Sequence, residues 1–392
     1  LVMGLVISSK AIQKDDTFIC LPGGEYYISE ALNRGAKCVL RLSRQEAGCY
    51  AAQYYNHPSE RLRVVGVTGT NGKTTVTWLV HHAINQLGGC SQLQGTLNSR
   101  LTTPESPETL LRISDHLKQG GTHFVMEVSS HAIAQNRIAG VSFSVKCLTN
   151  ISHDHLDYHG SFKNYAAIKH SFLNHTHSKQ CVTSDSIQTI SILDCPNIVG
   201  EFNQQNLKYA KQILLRLGFL ETRVDAVLKL ATCPPGRFEI LSHSPLVIVD
   251  YAHTPDALQS VLKAARKRLP KTGSLLVIIG CGGNRDQQKR PKMGRISAQY
   301  ADFVVFTQDN SRHEDPKDII ADMYQGVKRH HRKRVTSILD RYHAIETVIK
   351  KLNCSDGLVI AGKGHESVQY AGDSVVSFSD RNIAKQMIRK YL

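Results

Sequence analysis

The sequence predicts an α/β protein with mostly parallel sheets, divided into more than one domain. Short apolar runs alternate with amphipathic stretches of helical period along most of the chain. Those runs end in polar residues or glycine, and open parallel sheets bind ligands at their carboxyl ends. A length of 392 residues also exceeds one ordinary core, so two or three domains are expected.

The first 60 or so residues read as a small unit of their own. "VVGV" (Val64–Val67) is a buried strand, and Thr75–Leu87 is the helix that follows it. "HFVMEV" (His123–Val128) and "SVKCLTN" (Ser144–Asn150) are further buried strands. "TCPPGR" (Thr232–Arg237) carries paired prolines and reads as a linker. A second set of strands follows: Pro245–Asp250, Ser274–Gly280, Asp302–Thr307 and Gly357–Gly362. There is no internal repeat and no low-complexity tract.

Composition narrows the function classes. Hydrophobic content of 41% with 7% aromatic residues is globular. No apolar run approaches the roughly 20 residues that span a bilayer. The opening "LVMGLVISSK" lacks the basic start and longer apolar core of a secretory signal. The ten cysteines include no CxxC pair, which argues against a metal cluster or disulfide scaffold and suits a reducing cytoplasm. A net charge of +15 fits either nucleic acid or small anionic substrates. The densest basic run, "KRHHRKR" (Lys328–Arg334), has no interleaved aromatics for base stacking and reads as a solvated face.

"VVGVTGTNGKTT" carries the first chemistry. Gly66, Gly69 and Gly72 let the backbone turn tightly and aim its amides at phosphate oxygens. The helix that begins near Lys73 adds its positive end. Lys73 is placed to reach the β- and γ-phosphates of a nucleotide, and Thr74 to hold Mg²⁺. The common GxxxxGK[ST] form would put glycine at 67, where Val67 stands. Glu127 in "MEVSSH" and the histidines and aspartates of "SHDHLDYHG" (Ser152–Gly160) follow strand ends; each reads as a metal ligand or an ordinary loop residue. In the second half, Asp250–His253, Gly280–Asp286, Asp309–Pro316 and Gly362–Glu366 follow four strands, which suggests one shared cleft. Arg285 and Arg312 in two of these loops suit bidentate carboxylate recognition.

With "LTTPES", "TNISHDHLDYHG", "NYAAIK", "GRFE", "DYAHTPDAL", "GCGGNRD", "KRPKMG", "DNSRHEDP" and "AGKGHE", these motifs resemble those of the Mur ligases, in that family's order, over nearly the whole chain from Val64 on. The resemblance implies three domains: an N-terminal UDP-substrate-binding unit (1–60), a central P-loop ATPase on a parallel sheet (61–232) and a Rossmann-like C-terminal ligase domain (233–392). It implies ATP and Mg²⁺ as cofactors. ATP would phosphorylate a carboxylate to an acyl phosphate, an amine would attack, and ADP and phosphate would leave.

The residue roles implied by the resemblance are specific. Gly69, Asn71, Gly72, Lys73, Thr74, Thr75, Asn203, Asn206, Arg237, Asp250 and His253 would meet ATP. Thr74, Glu127, His155 and Lys169, the last as a carbamate, would hold metal, and Lys73, Glu127, His155 and Lys169 would be the catalytic set. Read from the residues alone, Lys169 is a helix-surface lysine. Thr102, Thr103, Ser129, Gln135 and Arg137 match positions that grip a UDP-muramoyl-dipeptide. Arg285, Asp309, Asn310, Arg312, Gly362 and Glu366 match the amino-acid pocket. There "DNPR" accompanies meso-diaminopimelate, and this chain has "DNSR", so diaminopimelate is favoured, with L-lysine the alternative.

The expected protein is therefore a monomeric cytoplasmic enzyme of peptidoglycan synthesis that handles small molecules, with no nucleic-acid or membrane partner. Departures concentrate near the start. Ser8, Ser9 and Lys10 replace the family's "DSR", a "DG" stretch is missing, and the loop from "QGT" (Gln94–Thr96) to "LTTPES" is short. A reduced N-terminal domain is expected. A folylpolyglutamate synthetase, a pseudomurein peptide ligase or a non-catalytic binding module are the rival readings.

Overall fold

The structure, a computed structural model, describes residues 4–174, 180–191 and 194–392. It divides into two compact units. One comprises Leu1–Ile151, Lys163–Cys195 and Asn206–Ala231, and the other Ser152–Phe162, Pro196–Gln205 and Thr232–Leu392.

The first unit holds two parallel sheets. Strands β1 (Leu5–Val6), β2 (Thr17–Cys20) and β3 (Cys38–Arg41) pair in that order, within the expected N-terminal segment. The helix Arg44–Tyr54, started by a Ser43–Glu46 capping box, lies against the helix Ser106–Lys118, with Ala47, Ala51, Ala52 and Leu110 in one buried cluster beside Leu5 and Ile19. Strands β4 (Arg63–Thr68), β5 (Ser91–Gln94), β6 (His123–Glu127), β7 (Val145–Leu148) and β8 (Cys181–Val182) form the second sheet, in the order β5-β6-β4-β7-β8 and parallel throughout. Central β4 is buried on both faces, which is why it reads as an unbroken apolar run. Its register sets Val67 beside Glu127, so the glycine loop and "MEVSSH" leave the sheet side by side.

The second unit is a sheet covered by helices on both faces. Strands β9 (Glu239–His243), β10 (Leu246–Asp250), β11 (Leu275–Ile279), β12 (Phe303–Phe306), β13 (Val335–Ser337) and β14 (Gly357–Ala361) lie in the order β13-β12-β11-β14-β10-β9, and only β9 is antiparallel to its neighbour. The period of two sorts each strand between two cores. Ile248, Val277, Ile279 and Val359 face helices Pro255–Arg266, Lys289–Tyr300 and Pro316–Gln325. Val247, Val249, Ile278 and Ile360 face helices Arg341–Ile349 and Asp380–Tyr391. Thr254, Asp315, Asp340 and Ser379 cap four of these helices with their side chains. A hairpin, β15 (Val368–Ala371) and β16 (Ser374–Ser377), follows β14.

The seven strands expected from the sequence are all present; β4 runs one residue beyond each end of its expected span, and the other six are trimmed at one or both ends. The helix after β4 runs Lys73–Gln86, two residues ahead of the span Thr75–Leu87 and starting where the glycine loop put it. "KRHHRKR" forms a short 3₁₀ turn (Arg329–Arg334) with no buried residue, as a solvated face requires. All ten cysteines are free thiols.

Candidate functional site

In the first unit the site begins where β4 ends. Gly72 caps the helix Lys73–Gln86 at φ +89°, and a Cβ there would stand 2.4 Å from Asn206 Oδ1. The loop is clamped from β7: Thr149 Oγ1 donates to Asn71 O at 2.7 Å, and Asn150 Oδ1 accepts from Asn71 N at 3.0 Å. Thr75 is buried one turn on. Lys73 Nζ donates to Gly69 O (2.8 Å) and Thr70 O (3.0 Å), so its charge lies over the loop.

Lys169 is not the surface residue that its helix position suggests. It is 1% exposed, and its Nζ donates to Gly69 O at 2.8 Å. The cause is the face it shares with Tyr165, one turn earlier on helix Phe162–Ser171. Tyr165 is buried, its hydroxyl 2.8 Å from Thr70 Oγ1, and its ring lies 4.9 Å from Nζ. Two lysines therefore converge on the carbonyl of Gly69.

Glu127, at the end of β6, is 2% exposed. Its Oε2 accepts from Thr74 Oγ1 (3.0 Å), and its Oε1 from Thr96 N (2.8 Å). Buried hard oxygens from Thr74 and Glu127 fit Mg²⁺, which takes one or two carboxylates and completes its shell with phosphate and water. Among the described residues no three His, Cys, Asp or Glu side chains form a metal cluster.

The five residues expected to grip the muramoyl substrate gather at the same strand end. Thr102 Oγ1 is 3.2 Å from Thr96 Oγ1. Thr103 Oγ1 donates to Glu127 O and accepts from Ser129 N, both at 2.9 Å. Arg137 donates to Gln135 Oε1 and to Thr103 O, and lies 3.5 Å from Glu105. Glu105 is also 3.0 Å from Arg44, so two guanidiniums share one carboxylate.

The second unit carries the rest. His155 falls here, because Ser152–Phe162 clusters with this unit, whereas Thr74, Glu127 and Lys169 belong to the first. His155 Nε2 is 3.4 Å from Asp154 Oδ2, and His253 Nε2 is 3.9 Å from the same oxygen. Asn203 is buried and donates to Val199 O at 2.9 Å. Asp250 ends β10 and accepts from Phe238 N and Ala252 N, each at 2.6 Å. Burial pushes its carboxyl up to about 6, against the pull of Arg237. Burial likewise pulls His253 down to about 4, helped by Lys289. The Arg237 guanidinium sits 4.1 Å from the Tyr251 ring centroid, a cation–π contact.

The four polar loops do share one region, since β12, β11, β14 and β10 are adjacent and parallel. Gly362 N donates to Asp250 O at 3.1 Å. Arg312 donates to Gly283 O at 2.8 Å, and burial with neighbouring Arg285 lowers its pKa. Asn310 Nδ2 donates to Glu366 Oε2 at 2.9 Å, and Asp309 Oδ1 accepts from Asn310 N at 2.5 Å. Beneath them lies a pair the sequence did not announce. Arg341 and Asp380 are fully buried and bidentate (2.8 and 2.7 Å). The same guanidinium donates to Ala361 O at 2.8 Å and Gln308 O at 3.5 Å, the carbonyls that precede Gly362 and Asp309. Sequence reasoning also missed Thr96, Thr149, Asn150 and Lys363, all of which stand inside or beside the quoted motifs.

Residues 67–212 match the Mur ligase middle domain, and residues 236–364 match the Mur ligase, glutamate ligase domain. The chain is 35% identical over 472 residues to UDP-N-acetylmuramoyl-L-alanyl-D-glutamate--2,6-diaminopimelate ligase of Synechocystis sp., covering 99% of this chain and 92% of that one. A solved structure of a protein of that name aligns with TM-score 0.62 and 29% identity, over 99% of this chain and 94% of the other. MurF ligase from Thermotoga maritima in complex with ADP aligns with TM-score 0.69 at 16% identity, over 99% and 97%, a likeness of fold. The alignment to the Synechocystis protein is longer than the 392 residues here, so that relative carries internal stretches this chain lacks.

Proposed function

The chain belongs to the Mur ligase family, and from that membership we propose that it adds meso-diaminopimelate to UDP-N-acetylmuramoyl-L-alanyl-D-glutamate, driven by ATP, in peptidoglycan synthesis. The observation that carries the choice of amino acid is the loop Asp309–Arg312 against Glu366. It presents a guanidinium for a carboxylate and a carboxylate for an ammonium within one pocket region, and diaminopimelate has a distal carboxylate that lysine lacks.

The chain's own groups then divide the work. Lys73 and the amino end of its helix hold nucleotide phosphates. Thr74 and Glu127 hold Mg²⁺, which neutralises phosphate charge and polarises the transferred phosphoryl group when bound. Lys169, as a carbamate, adds a further carboxylate from a helix already turned toward Gly69, and His155 adds a nitrogen ligand. Asn203, Asn206, Arg237, Asp250 and His253 belong to the ATP side. Thr102, Thr103, Ser129, Gln135 and Arg137 hold the anionic muramoyl-dipeptide, whose carboxylate becomes the acyl phosphate. The proposed division is 1–60 for UDP-substrate binding, 61–232 for ATP and 233–392 for the amino acid. No described helix is long and apolar enough to cross a membrane. A cytoplasmic monomer without a nucleic-acid or membrane partner remains our reading.

The test is phosphate release with ATP, Mg²⁺ and UDP-N-acetylmuramoyl-L-Ala-D-Glu, comparing meso-diaminopimelate with L-lysine. Release with diaminopimelate alone is expected. Release with lysine alone would keep the ligase and overturn the pocket argument. Release with neither would sink the proposed reaction.

A further inference from the structure

Lys363 is the one lysine of the amino-acid loops that is fully buried, at 0% exposure. Its ammonium has three protons, and the structure gives each a defined acceptor. They are Asn310 Oδ1 at 3.0 Å, Glu366 Oε2 at 2.9 Å and Val368 O at 2.8 Å. One side chain thereby ties the loop after β12, the loop after β14 and the first strand of the hairpin.

The consequence for Asn310 follows from donor chemistry. Lys363 Nζ and Tyr370 N can only donate, and both approach the same amide atom, at 3.0 and 3.1 Å. That atom must be the oxygen, so the amide nitrogen must face Glu366 Oε2, 2.9 Å away. Glu366 Oε2 is thus held by two donors. Its Oε1 has no hydrogen-bond partner among the described residues, and the side chain is 26% exposed. A carboxylate with one oxygen fixed and the other open is a directed acceptor for a cation.

We propose that Lys363 is a positioning residue for amino-acid recognition: its buried ammonium sets the orientation of the Asn310 amide and pins one oxygen of Glu366, turning the other toward the ammonium of the incoming amino acid. This rests on the amino-acid ligase reading above.

Steady-state kinetics of the full chain test it through Lys363→Met, which keeps the length of the side chain and removes the donors. The KM for diaminopimelate should rise roughly ten- to a hundredfold, as expected for loss of charged hydrogen bonds, while the KM for ATP stays unchanged. Should that variant fail to fold, as judged by its melting curve, Asn310→Asp reads the same contact. It keeps an oxygen for Lys363 and Tyr370 but turns a second one toward Glu366 Oε2, so the same selective rise is expected. An unchanged KM for diaminopimelate, or equal rises for both substrates, would overturn the assignment of Lys363 while leaving the ligase intact. A wild-type chain that releases no phosphate with any amino acid would bring down the ligase reading, and this assignment with it.

Discussion

Asp250 shows what one residue's surroundings do. An ordinary aspartate titrates near 3.9, and burial pushes this one up to about 6. From about pH 4 to 6 the unfolded chain releases a proton that the fold retains, so Asp250's contribution to stability falls as pH rises through that window. The melting temperature of the wild type relative to Asp250→Asn should therefore decline between about pH 4 and 6 and level off above. A difference that grows over the same range would show that the native backbone donors of Phe238 and Ala252, not burial, govern the group. At this scale the motifs were legible wherever chemistry depends on residue type, as at Lys73, Thr74 and Glu127. Lys169 was not, because burial depends on what a helix face meets. The spacing of Tyr165 and Lys169 on one face was its only local sign.

Among the elements, central strands were legible and edges were not. β4, β10, β11 and β14 are buried on both faces and spell continuous apolar runs. β9 and the β15–β16 hairpin are partly or wholly exposed, so their alternation is weak, although each pairs with the strand beside it in sequence. The loop after β11 is constrained non-locally. A Cβ on Gly283 would lie 1.9 Å from Ser311 O, so Gly283→Ala must displace the turn that carries Asn310 and Arg312. The expected outcome is a raised KM for the amino acid with ATP binding preserved. Equal loss of both would mean that the whole sheet edge had moved.

For the whole molecule, a charge of +15 should act at long range on anionic substrates. The KM for UDP-muramoyl-dipeptide should rise between about 10 and 150 mM salt, as the Debye length shortens from about 30 to about 8 Å. A KM indifferent to salt would confine recognition to contact distance. Length and composition gave the multi-domain α/β plan, and motif order gave the family. Neither locates the internal stretches that a longer relative carries. The Arg341–Asp380 pair, finally, bears on how the protein is made. Removing one partner of such a buried pair costs about 3–5 kcal/mol. During translation Arg341 emerges 39 residues before its counter-ion, and β14, whose last carbonyl it holds, is spelled out in between. The sheet of β9 to β14 therefore cannot settle as the ribosome lays it down. Its central cation waits for the helix Asp380–Tyr391, and a nascent chain stopped short of Asp380 would be a substrate for quality control rather than an enzyme.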